Sequence, residues 1–75
     1  RQGKAIRILD EHLGIDALPD KLKIVARLRW NNPEASLKEL EEMMNGTLSK
    51  SGIGHRLKKL EALALTYDPM GLEEV

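Results

Sequence analysis

The sequence predicts an all-α domain of about four helices, with a helix-turn-helix near its C-terminal end. Three observations lead there. Apolar residues recur three and four apart in every segment, while apolar/polar alternation over a strand's length occurs nowhere. Helix-ending residues divide the chain into four such stretches: Gly14, the triplet from Asn31 to Pro33, and the pair Asn45 and Gly46. Finally, about four residues separate the last two stretches, and the second of these is basic, which is the outline of a helix-turn-helix.

In the first segment Ile6, Leu9 and Leu13 fall on one helical face, which ends at Gly14. A second helix opens at Pro19, a residue tolerated in a first turn, beside Asp20, whose charge the helix dipole favours there. Leu22, Val25, Ala26 and Leu28 continue its pattern until "NNP" stops it. The third helix begins with Ser36 and Glu39 spaced as a capping box, each side chain satisfying the other residue's backbone amide. Leu37, Leu40 and Met44 form its inner face, Lys38, Glu41 and Glu42 its outer one, and Asn45 and Gly46 accept the left-handed angles that end it. Ser49 then caps the last helix. Leu48 before it and Ile53 inside it are placed as a hydrophobic staple, and Ile53, Leu57, Leu60 and Ala64 form the stripe facing the core.

The chain has 75 residues, 12 basic and 12 acidic, and is formally neutral. It has no cysteine, so disulfides and thiolate metal sites are excluded, which suits a reducing compartment. No apolar run approaches the roughly 20 residues that span a bilayer. The opening "RQGKAIRILDEHLG" interrupts every apolar pair with charge, unlike a signal peptide. It opens in mid-pattern without Met and reads as an excised C-terminal part. Trp30 and Tyr67 are the only aromatic residues besides histidine, too few for the stacking platforms that bind single strands or RNA loops.

Charge is sorted along this neutral chain. From Met43 through Leu60 there is no acidic residue, while "SKSGIGHRLKKL" carries Lys50, Arg56, Lys58, Lys59 and His55. At about 100° per residue, Ser51, His55, Lys58 and Ala62 point away from the apolar stripe. Lys59 and Gly52 lie beside that outer face, Gly54 lies on the other flank, and Arg56 falls near the core border. A helix entering the major groove needs this layout: a slim N-terminal half with groups that meet base edges, and cations on its flanks for phosphates. Ser51 and His55 can each donate or accept, and Lys50, Arg56, Lys58 and Lys59 can neutralise phosphates. Gly52 and Gly54 each lower helix propensity by roughly 1 kcal/mol relative to Ala; close approach of a phosphate or base would account for them.

Other readings of these residues exist. Lysines on an outer face can be merely a solvated surface, although ordinary surface helices mix signs. The acids of the third helix, Glu39, Glu41 and Glu42, could make the domain a protein-docking module, and a shape-reading RNA binder is a third class. Ser51 and His55, one turn apart, have no carboxylate to orient a general base, so catalysis is not expected. His12 and His55 are far apart and no His/Asp/Glu cluster has metal-ligand spacing, so neither metal nor other cofactor is expected. Trp30 reads as a lid on the core and Met43 and Met44 as packing. Arg27 and Arg29 either reach a flanking phosphate or favour their helix's C-terminus.

The run from Leu18 to Ala64 resembles the C-terminal domain of the WhiA family of bacterial regulators, through "LP", "NPEASLKEL" and above all "SKSGIGHRLKKL". The likeness extends back through "AIRILDEHLGIDAL". It implies a helix-turn-helix domain similar to the promoter-reading region 4 of sigma factors. It also implies an N-terminal domain resembling LAGLIDADG homing endonucleases, outside this chain and kept as a fold only. Residues 1–17 are then a leading helix or linker from that domain, 18–67 the DNA-binding domain with its motif at about 36–66, and 68–75 a tail. The resemblance further implies a cytoplasmic, nucleoid-associated protein that binds promoter DNA in transcription control, sporulation, cell division and chromosome segregation. Docking to the RNA polymerase sigma factor is the alternative role. Ser49, Lys50, Ser51, His55, Arg56 and Lys58 match the family's recognition helix, and Lys59 flanks them. In one departure, Gly54 stands where the family's pattern has Asn, a residue that reads adenine.

Overall fold

In the computed structural model, which describes residues 2–70, the chain forms four α-helices. They are α1 (Gln2–His12), α2 (Asp20–Asn31), α3 (Leu37–Met43) and α4 (Lys50–Tyr67), with a short 3-10 helix at Ile15–Ala17 between the first two. No strand occurs among the described residues. The all-α, four-helix expectation is met.

The core is organised around α4. Its stripe of Ile53, Leu57, Leu60 and Ala64 is buried, and α1, α2 and α3 each pack against this helix. Leu40 joins from α3 and Val25 and Ala26 from α2, with Leu22, Leu28, Leu37, Met44 and Leu48 packed half-buried around them. Residues 1–17, read as a leader, contribute as much as any segment: Ala5, Ile6, Ile8 and Leu9 of α1 are all in the same core. Leu13, expected on that face, is instead 39% exposed, because α1 ends at His12 and the chain turns away at Gly14. Gly14 takes a φ of 83°, and its N–H donates back to the carbonyls of Leu9 and Asp10. The far ends of α1 and α4 meet through the rings of His12 and Tyr67, whose centroids are 5.5 Å apart.

The connection between α2 and α3 is tied by a buried arginine. Arg29 is only 7% exposed. Its Nη1 donates to the carbonyls of Asn32 (3.2 Å), Pro33 (3.3 Å) and Ala35 (2.6 Å). Pro33 stops the helix here; the Asn32 carbonyl also accepts the Ala35 N–H, and the guanidinium adds a charged donor to all three carbonyls. Of the two roles left open for Arg29, the one at its helix's C-terminus is the one this geometry fits. Arg27 is engaged as well, in an ion pair with Asp16. Trp30, expected as a core lid, is 48% exposed. The helical period that turns Val25, Ala26 and Arg29 inward leaves residue 30 on the rim.

α3 starts as its sequence demands. Ser36 Oγ accepts from the Glu39 N–H at 3.1 Å, and Glu39 Oε1 accepts from the Ser36 N–H at 2.9 Å. Both bonds of the capping box are present. At the other end Asn45 and Gly46 take φ values of 54° and 72°, turning the chain toward α4.

Two stability predictions follow from these contacts. Arg29→Met, which keeps the stem but removes the donors, should lower the unfolding free energy by about 2 kcal/mol, since three carbonyls lose a charged partner. Urea titration checks this, and an unchanged midpoint would show that the bridge adds nothing. The capping box carries a pH signature. Hydrogen bonding from the backbone and then the hydroxyl of Ser36 holds the Glu39 carboxyl below its ordinary value. A lowered folded-state pKa means that this stabilisation is complete above the ordinary glutamate range. It is lost as pH falls through the lowered value. Ser36→Ala should lower stability by about 1 kcal/mol at neutral pH, the usual worth of an N-cap. The main-chain N–H of residue 36 survives in this variant, so its deficit relative to the parent chain should shrink in acid only by the hydroxyl's smaller share in holding the carboxylate. Paired denaturation curves at neutral and acidic pH would measure this.

Candidate nucleic-acid interface

The turn between α3 and α4 is built from caps on both sides. Ser49 Oγ accepts the Gly52 N–H at 3.0 Å, making it the N-cap expected from its position. Leu48 is half-buried against the core and Ile53 is fully buried, as the staple requires. A second cap comes from across the turn: Glu41 Oε2 accepts the backbone N–H of Lys50 at 2.8 Å. Glu41 is therefore half-buried and faces α4, not outward as its helical position suggested. Two acceptors thus satisfy amides that begin the helix, and the negative charge suits the positive end of its dipole.

These caps set the direction in which α4 presents its outer side. Ser51, His55, Lys58, Lys59 and Ala62 are exposed, while the stripe one half-turn away is in the core. Lys50, Ser51, His55 and Lys58 come together around one shallow groove, which Gly54 and Leu37 complete. Four of the seven anticipated residues therefore share one face. The other three sit differently. Ser49 spends its hydroxyl on the cap. Arg56 is half-buried and donates to the carbonyl of Lys21 at 3.3 Å, joining α4 to the start of α2. Lys59 is exposed beside the groove and is not part of its lining.

The electrostatics of this face are uneven. Arg7, Lys23 and Arg27 are held by Glu11, Asp20 and Asp16. Lys50, Lys58 and Lys59 have no ion pair among the described residues. No group of three His, Cys, Asp or Glu residues that could hold a metal ion occurs there either.

Gly52 has a reason internal to the domain. A Cβ at this position would sit 3.1 Å from Leu48 Cδ1 and 3.3 Å from Ser49 Oγ, crowding the staple and the cap together. Close approach of a ligand is not needed to explain it. At Gly54 a Cβ would meet only Leu37 Cδ1, at 3.4 Å, an ordinary contact. Leu37 is the groove residue that sequence reasoning missed, having been counted as part of the inner face. Its signal was the glycine opposite, which leaves it uncovered. Glu41 and the Arg56–Lys21 contact had no such signal, because both bridge residues whose proximity depends on how the helices cross.

The family model for the WhiA C-terminal HTH domain matches residues 1–64, all of α1 to α3 and most of α4. The chain belongs to the WhiA family. Among its relatives, proteins named probable cell division protein WhiA are 52% identical in Staphylococcus carnosus, 54% in Bacillus pumilus and 49% in Staphylococcus aureus. Each match runs over 65 residues, 85% of this chain and 21% of the relative. The chain thus spans about a fifth of the length of the curated WhiA relatives it matches. No solved structure matches it. No helix among the described residues is long and apolar enough to cross a membrane.

Proposed function

We propose that this WhiA-family domain binds duplex DNA, laying the N-terminal half of α4 in the major groove. The observation that carries the reading is the set of unpaired lysines, Lys50 and Lys58, flanking Ser51 and His55 on a face whose reverse side is core. Lysines at the rim suit phosphates, whose neutralisation supplies most non-specific affinity. Ser51 and His55 lie between them, where base edges would pass, and can form the hydrogen bonds that distinguish one base pair from another. Arg56, which donates through Nη1 to the Lys21 carbonyl, orients α4 against α2 and keeps its other donors for a flanking phosphate.

The wider role rests on the family. The relatives' names point to cell division, and membership is in keeping with transcription control, sporulation and chromosome segregation in the cytoplasm, on the nucleoid. The rest of such a protein, expected to include a LAGLIDADG-like domain, would add affinity to a small reader. Docking to the RNA polymerase sigma factor through the acids of α3 is less well supported. Glu39 is engaged with Ser36 and Glu41 with the Lys50 amide, which leaves Glu42 as the acid of that group with no such bond.

Changing Lys50 and Lys58 together to Ala should remove most duplex binding in a fluorescence-anisotropy titration. It should also flatten the dependence of log affinity on log salt by up to roughly 0.9 per lost phosphate contact. Circular dichroism should be unchanged, since neither residue belongs to the buried stripe. Intact binding with an intact salt slope would reduce the basic face to a solvated surface and leave protein docking as the better reading. His55→Ala tests base recognition separately. It should weaken the preferred site more than a random duplex, and equal losses on both would mean that His55 reads no base.

A further inference from the structure

The reading groove has an apolar floor where its surroundings are polar. Leu37, the first residue of α3, lies beneath Gly54 and between Ser51, His55, Lys50 and Lys58. A side chain at position 54 would cover it, since even a Cβ would stand 3.4 Å from Leu37 Cδ1. With glycine there, a leucine methyl faces the groove, ringed by a hydroxyl, an imidazole and two ammonium groups. In the major groove of DNA, base edges offer hydrogen-bonding groups at every pair, and the apolar group among them is the C5 methyl of thymine.

We infer that Leu37, uncovered by Gly54, receives the C5 methyl of a pyrimidine and so fixes one position of the DNA site. This inference rests on the DNA-binding reading and assigns the base contact within it. The rim lysines hold the backbone, and the methyl fills the gap that the missing side chain leaves. Loss of that methyl exposes Leu37 to water without offering a new hydrogen bond. The same floor accepts 5-methylcytosine, which carries an identical methyl, while unmethylated cytosine and uracil leave it empty.

The test begins with selection of bound duplexes from a random-sequence pool by the chain. The recovered duplex is then synthesised with deoxyuridine replacing thymine at one position at a time. At one position uracil should bind roughly three- to five-fold more weakly, the worth of burying one methyl group. Cytosine placed at that position should bind more tightly when methylated at C5. Two variants should abolish the thymine-over-uracil preference. Leu37→Ala removes the floor, and Gly54→Asn covers it with a polar amide. The second improves helix propensity, and its Cβ meets only Leu37 Cδ1, so it controls for loss of fold in the first. Because asparagine can itself read adenine, Gly54→Ala, which adds a Cβ alone, is measured beside it. If uracil is tolerated at every position while salt-dependent duplex binding persists, the methyl contact is wrong and the DNA reading stands. A preference that survives both variants overturns the assignment to Leu37. A chain that enriches no duplex from the pool overturns both readings.

Discussion

The constraint on which this domain depends is that one helix must serve two environments at once. Ile53, Leu57, Leu60 and Ala64 of α4 are where the other three helices converge. A domain of 75 residues buries a smaller share of its surface than larger ones and has little apolar area to spare. α4 therefore both anchors the core and carries the exposed polar face. The reading face and the buried stripe are a half-turn apart on the same 18 residues. Any change that rotates α4 to repack the stripe also swings Ser51 and His55 around its axis. Core and interface are mechanically one object.

Polar groups then decide how α4 is aimed. Ser49 and Glu41 cap its beginning, Arg56 ties it to the Lys21 carbonyl, and Arg29 holds the segment that leads into α3. The bonds from Ser49, Glu41 and Arg29 satisfy backbone groups at a turn or helix end, while that from Arg56 adds a second donor to a carbonyl inside α2. None lies in the apolar core, yet together they set the crossing of α3 and α4 and so the shape of the groove between them. Hydrophobic burial is non-directional. The angle at which the two helices of the motif meet needs directional contacts, and this chain supplies them with charged residues that a census of surface charge would have counted as free.

How far the sequence revealed this follows from the range of each interaction. The capping box at Ser36 and Glu39, the N-cap at Ser49 and the left-handed pair Asn45 and Gly46 act over two to four positions, so their chemistry is visible in the local pattern. The buried stripe of α4 was visible for the same reason, being one period repeated. Trp30 was misread and the role of Arg29 left open because both sit at a helix end, where the period no longer says which side the chain will fold over. Arg29 turned inward on the loop after it and Trp30 stayed on the rim. Glu41 and Arg56 depend on neighbours 9 and 35 residues away. Only the crossing of helices makes those neighbours. Within the candidate site the pattern gave the four polar groove residues, since they follow from the stripe by rotation. Leu37, on a different helix, was signalled only by Gly54, and reading that signal needs the crossing of α3 and α4.

The cations of this neutral chain are unevenly engaged, and Lys21 and Lys38 are also exposed without an ion pair among the described residues. Arg7, Lys23 and Arg27 sit in ion pairs, Arg29 is buried and Arg56 is bonded to a carbonyl. Lys50, Lys58 and Lys59 remain on the outer side of α4. Three phosphate contacts would give a salt slope of about 2.7. On that slope, affinity falls roughly 40-fold between 50 and 200 mM salt, against the thousand-fold or more lost by proteins with six to ten contacts. So modest an electrostatic contribution leaves the domain little non-specific attraction to DNA. On the proposed reading, discrimination between sites falls to short-range contacts in the groove, from Ser51, His55 and Leu37. In a domain with a strongly basic surface, the loss of one hydrogen bond or one methyl contact would be a small fraction of the binding free energy. Here each is a large one, so a neutral composition and a polar, well-shaped groove are two sides of the same design.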